Sequence, residues 1–90
     1  LENHNHTEMS WKHDNLISQL HNSVDNVTAA VGQALSHPTE QLIQHALTMI
    51  DRAENALTNA LQNIQHQEPI HQLEEQLNLN KKELERLYTH

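Results

Sequence analysis

Ninety residues without a cysteine allow one domain and one core, and they exclude a disulfide framework and any thiolate metal site. One Trp, one Tyr and no Phe leave the core to Leu, Ile, Val and Ala. One Gly and two Pro leave few places to turn, so a few long helices fit and a β-sandwich does not. The formal net charge of −7 speaks against nucleic acid as a partner, because a phosphate backbone is held by clustered Lys and Arg.

From the first residue, Leu1 to Met9 is polar, with Asn3, His4, Asn5 and His6 in succession, and is expected to be a disordered arm. His4, His6 and Glu8 could hold a metal only loosely from such an arm. No basic-then-apolar leader and no run of about 18 apolar residues is visible, so neither an export signal nor a membrane span is expected, and the expected location is the cytoplasm.

Helix 1 is expected over 10–35, with Ser10 as N-cap for Trp11 onward. Ile17, Val24 and Val31 occupy heptad position a, and Leu20, Val27 and Ala34 occupy d. Leu16 and Leu35 widen the stripe. Gly32 lies in the last turns at a cost of about 1 kcal/mol relative to Ala; it is either tolerated there or marks a close approach of helix 2.

The turn Ser36-His37-Pro38-Thr39-Glu40 stops one helix and starts the next. Pro38 suits the first helical position, and Glu40 then falls third, where it could reach back to the cap. Helix 2, expected over 38–65, carries Ile43, Ile50, Leu57 and Ile64 at a, and Ala46, Ala53 and Ala60 at d. With Leu42, Leu47, Met49, Ala56 and Leu61 they fill about half the helix circumference, enough to serve two neighbours, so helix 2 reads as the middle of the bundle. Its other half is almost uncharged: Gln41, Gln44, Thr48, Asn55, Thr58, Gln62 and Gln65, with Asp51 as the exception. Such a face is either plain surface or a contact surface, since neutral amides are cheaper to desolvate than ions.

A second turn, His66-Gln67-Glu68-Pro69, leads into helix 3, expected over 69–88 with Ile70, Leu73, Leu77, Leu84 and Leu87 inward. Asn80 takes a d position. The helix either runs straight past this polar residue, the favoured reading, or breaks there with Asn80 as a new cap and Glu83 behind it. Lys81 with Glu85 and Glu83 with Arg86 are spaced for pairs along one helix. Antiparallel folding about residue 68 would set Ile64 near Leu73, Leu57 near Asn80 and Ile50 near Leu87. The expected fold is all-α: a three-helix antiparallel up-down-up bundle with short Pro-containing turns, residues 10–90 forming one domain.

Nine His stand out in the composition. His13, His66 and His71, with Glu68, fall at one end of such a bundle, and three imidazoles with a carboxylate would suit zinc if they converged. None of the His pairs has the HExxH spacing, and plain surface use of His is the simpler expectation. Ser18 with His21, and Ser36 with His37, are neighbours in sequence but lack a cleft. Glu74 and Glu75 point apart on a helix, and there is no Gly-rich phosphate loop. No catalytic residue and no cofactor is expected.

The run Val24, Val27, Ala30-Val31-Gly32, Ala34, then Glu40-Gln41-Leu42, His45-Ala46, Ile50, Ala53-Glu54, Leu57 and Ala60, resembles the small uncharacterised helical proteins of spore-forming bacilli over residues 20–61. The resemblance implies a cytoplasmic helical protein and carries over no functional residues. The leading expectation is a non-enzymatic interaction module, a regulator or adaptor that binds a protein through a helix face. The alternatives are a His-based metal-binding or pH-responsive protein, and an acidic inhibitor of a nucleic-acid-binding protein. Leu79 and Tyr88 lie off the inward stripe of helix 3, and Leu16, Ile17 and Leu61 lie where helix 3 covers least. These five form the expected interaction surface, with a homodimer as one way to bury it.

Overall fold

A computed structural model of the chain describes residues 2–64 and 67–87, with side chains from Asn15 onward. It contains three helices, α1 (Glu2–Ser36), α2 (Glu40–Asn63) and α3 (Glu68–Glu85), each packed against the other two. Successive helices reverse direction, so α3 runs parallel to α1.

The helix boundaries depart from the expected ones for local reasons. The start expected at Ser10 moves to Glu2: neither Pro nor Gly interrupts residues 2–9, and the residues expected as an arm form the first turns of α1's backbone. At 35 residues, α1 is about 52 Å long, against about 36 Å for α2 and 27 Å for α3. The molecule is correspondingly drawn out, 57 × 20 × 15 Å, with a radius of gyration of 15.6 Å. A compact globule of this length would have about 12 Å.

Thr39, rather than a residue ahead of Pro38, caps α2. Its extended backbone sets it outside the helix, and its Oγ1 accepts from the Leu42 N–H at 3.2 Å. Pro38 therefore precedes the cap, and Glu40 is the first helical residue rather than the third, where its charge still favours the helix N-terminus. At the other end the Ile64 N–H closes on the Ala60 carbonyl at 3.0 Å. Gln67 Nε2 donates to the carbonyls of Leu61 and Ile64, at 3.3 and 3.4 Å. Pro69 sits in the first turn of α3, where the missing N–H costs no helical bond. The first connection thus contains a proline, and the second places its proline at the helix start. α3 runs unbroken through Asn80.

The core is wholly apolar among the described residues: Leu20, Val24, Val27, Ala30, Val31 and Ala34 from α1; Ala46, Ile50, Ala53 and Ala60 from α2, with Ile64 just after it; Ile70, Leu73, Leu77 and Leu84 from α3. Contact is most extensive between α1 and α2, intermediate between α1 and α3, and thinnest between α2 and α3. The middle of the bundle is therefore α1, not α2. The reason lies in side-chain size. On α2 the fully buried residues are the small ones, Ala46, Ala53 and Ala60, which let the α1 and α2 axes approach closely. The bulky neighbours Leu42, Ile43, Met49, Leu57 and Leu61 end up half-buried around that seam. The broad arc of α2 is real, but α3 covers only part of it.

Gly32 is exposed, and a Cβ built there would meet nothing within 4 Å. No close approach to α2 requires it. Because its φ is negative and helical, Gly32→Ala should stabilise the fold by about 0.4–1 kcal/mol through the unfolded chain's lost freedom, read as a raised denaturation midpoint with unchanged slope.

Candidate interaction surface

The thin α2–α3 seam is one place where the bundle leaves apolar side chains within reach of solvent; Leu35 near the end of α1, 40% exposed, is another. Leu47, Ile50 and Leu84 line a shallow groove there, flanked by Lys81 and Glu85. Leu47 is 38% exposed, and half-buried Ile43 shares its side of α2 four residues earlier. Leu84 is anchored in the core, as i+7 from Leu77, and offers the groove only its edge. The groove holds about 90 Å³, a few water molecules' worth, whereas pockets for small organic ligands begin near roughly 300 Å³. The space is the size of a single side chain.

One polar contact joins the two sides of the seam. Lys81 Nζ donates to Glu54 Oε2 at 2.5 Å, joining α3 to α2. Both side chains are more than a third exposed, so the pair is worth at most about 1 kcal/mol. Sequence spacing suggested Lys81 as a partner for Glu85 on the same helix; that Lys81 also reaches Glu54 across the seam depends on helix register, which spacing alone does not give. Glu83 and Arg86 do pair, with Nη1 at 3.4 Å from both carboxylate oxygens.

The expected surface residues separate into two groups. Leu79 is 63% exposed on the outer side of α3. Leu16, Ile17 and Leu61 are half-buried and pack against the core. Tyr88 lies outside the described residues. Leu47 was counted with the inward arc of α2; the structure exposes it because α3 is thin there. The neutral face of α2 is solvent-facing throughout its described length, and part of it is satisfied internally: Thr48 Oγ1 donates to the Gln44 carbonyl at 3.0 Å.

Of the metal candidates, His13 and His66 lie outside the described side chains. His71 is 3.5 Å from Glu74 Oε1 on its own helix, and Glu68 is exposed in the first turn of α3. His21 makes a similar exposed pair with Asp25, at 3.3 Å. Among the described residues no three His, Asp or Glu converge as a metal site would require. Among the same residues no helix is long and apolar enough to cross a membrane. No family model, curated protein or solved structure matches this chain.

Proposed function

We propose that this chain is a non-enzymatic helical interaction module that binds another protein along the α2–α3 seam. The observation that carries the proposal is the uncovered flank of α2: Leu47 exposed, Ile43 half-buried and Ile50 at the floor of a groove open to solvent, beside a helix too thinly packed to cover them. Burying such side chains against a partner gains about 25 cal/mol for each Å² of apolar surface removed from water. Leu79, farther round α3, supplies a second apolar contact on the same helix. The partner is a regulator's target or a scaffold component, and the module acts by occupying a surface rather than by transforming a substrate.

A photoreactive phenylalanine at position 47 should give a discrete protein adduct in the cell of origin, and the same residue at Thr58, on the neutral face of α2, should give none. Equal labelling from both positions, or none from either, would count against the seam. Self-association is the second form this binding takes, favoured by the drawn-out shape and thin core. An adduct at twice 10.4 kDa would show it, and Leu79→Lys should split that species without loss of helicity if α3 contributes to the dimer.

A further inference from the structure

The inward stripe of α3 repeats every three or four residues: Ile70, Leu73, Leu77, Asn80, Leu84, Leu87. A stripe of that kind is almost self-similar. Moving α3 by one turn, about 5 Å, lays apolar residues on apolar residues everywhere except at Asn80. Pairing the apolar rows of α2 and α3 alone accordingly admits a register with Ile50 opposite Leu87. In the structure Ile50 instead shares its groove with Leu84, three residues away. Hydrophobic burial selects weakly between these arrangements; something else must choose.

Two consecutive residues of α3 reach in different directions. Asn80 Nδ2 donates to Thr28 Oγ1 of α1 at 2.9 Å and to the Gln76 carbonyl at 3.1 Å. The Thr28 hydroxyl donates to the Val24 carbonyl at 3.1 Å, which leaves its oxygen oriented to accept from Asn80. Next to it, Lys81 reaches Glu54 of α2. On α1, Thr28 is flanked along the same face by Val24 and Val31, both buried. One turn either way, half-buried Asn80 would face a valine in place of Thr28, keeping only its bond to Gln76 and to solvent, and Lys81 would be carried a turn away from Glu54.

We propose that Asn80 and Lys81 form a two-sided latch that fixes the axial register of α3 against α1 and α2 together. The latch provides specificity more than stability, as a single polar residue in an apolar helix seam does when it discriminates among registers. It also decides which α3 residues border the groove at Leu47 and Ile50, and so sets the shape of the exposed seam.

The test uses the whole chain with spin labels at Gln33→Cys on α1 and Gln72→Cys on α3, both exposed, in a protein with no cysteine of its own. The labels are offset along the axis, so a slide of α3 changes their separation. With the latch intact, pulsed dipolar spectroscopy should give one distance. Asn80→Leu with Lys81→Ala should keep or raise the melting temperature, yet add a second distance displaced by about 5 Å. Thr28→Val with Lys81→Met, a milder pair at the same contacts, should do the same and guards against misfolding of the first variant. A single unshifted distance in the folded variants would overturn the latch, as would a fall in melting temperature with the distance unchanged, which is the mark of a merely stabilising contact.

Discussion

Val27→Asp should leave the chain largely unfolded under conditions where the parent is fully helical. Val27 is 0% exposed on the inward face of α1, and the described core around it contains no polar side chain to meet a carboxylate. An unpaired buried charge costs several kcal/mol, comparable with the 5–15 kcal/mol total stability of an ordinary domain, and a thin three-helix bundle has little to spare. Burial raises the folded-state pKa of such an Asp above its unfolded value near 3.9. The stability lost relative to the parent is therefore greatest above that folded pKa, diminishes as pH falls through it, and reaches its floor below about 3.9, where both states are protonated. Ile50→Asp should be milder. Ile50 is 7% exposed and borders the open groove beside Lys81, so a carboxylate there reaches water and a cation. Chemical denaturation of the two variants side by side checks the order. A larger loss at Ile50 than at Val27 would return α2 to the centre of the bundle.

Leu77→Ala should destabilise by about 2–5 kcal/mol, the range for deleting a fully buried leucine whose surroundings cannot collapse into the space. Leu77 is 1% exposed and is, with Ile70 and Leu84, one of the three largest fully buried side chains of α3. Leu79→Ala, two residues on and 63% exposed, should change stability by no more than about 0.5 kcal/mol. The contrast within one short helix is checked by denaturant midpoints at matched slopes. Similar losses at both positions would mean that α3 is rotated from the orientation described.

The helices and the two reversals were legible because apolar spacing, Pro38 and Pro69 speak locally. The stripes of α1 and α3 emerge in the core almost as spaced, with Leu20, Val24, Val27 and Val31 on one and Ile70, Leu73, Leu77 and Leu84 on the other. What spacing could not give was the weight of each contact. The half-circumference arc of α2 reads as two covered flanks, but its alanines draw α1 close while its leucines, Ile43 and Met49 are left at the rim. Register was equally hidden. Rows of leucines match in more than one alignment, and the contacts that distinguish them, Asn80 with Thr28 and Lys81 with Glu54, join residues 52 and 27 positions apart. The clue available in the sequence was Asn80 itself, a polar residue on the inward stripe whose half-buried amide can reach a neighbouring helix. Capping had the same character: both Pro38 and Thr39 suit a helix start, and the hydroxyl bond to Leu42 N–H chose Thr39.

The exposure of methyl groups along the α2–α3 seam tests the proposed surface most directly. Solvent paramagnetic relaxation, measured on selectively labelled Leu and Ile methyls with a neutral gadolinium probe, reads that exposure in solution. Leu79, Leu35 and Leu47 should relax fastest, at 63%, 40% and 38% exposed; Ile43 should be intermediate, with Ile50 below it; Leu20 and Leu77 should be untouched. Protection of Leu47 and Ile43 equal to that of Leu20, in a chain sedimenting as a 10.4 kDa monomer, would mean that the seam is already covered from within and is not a docking surface.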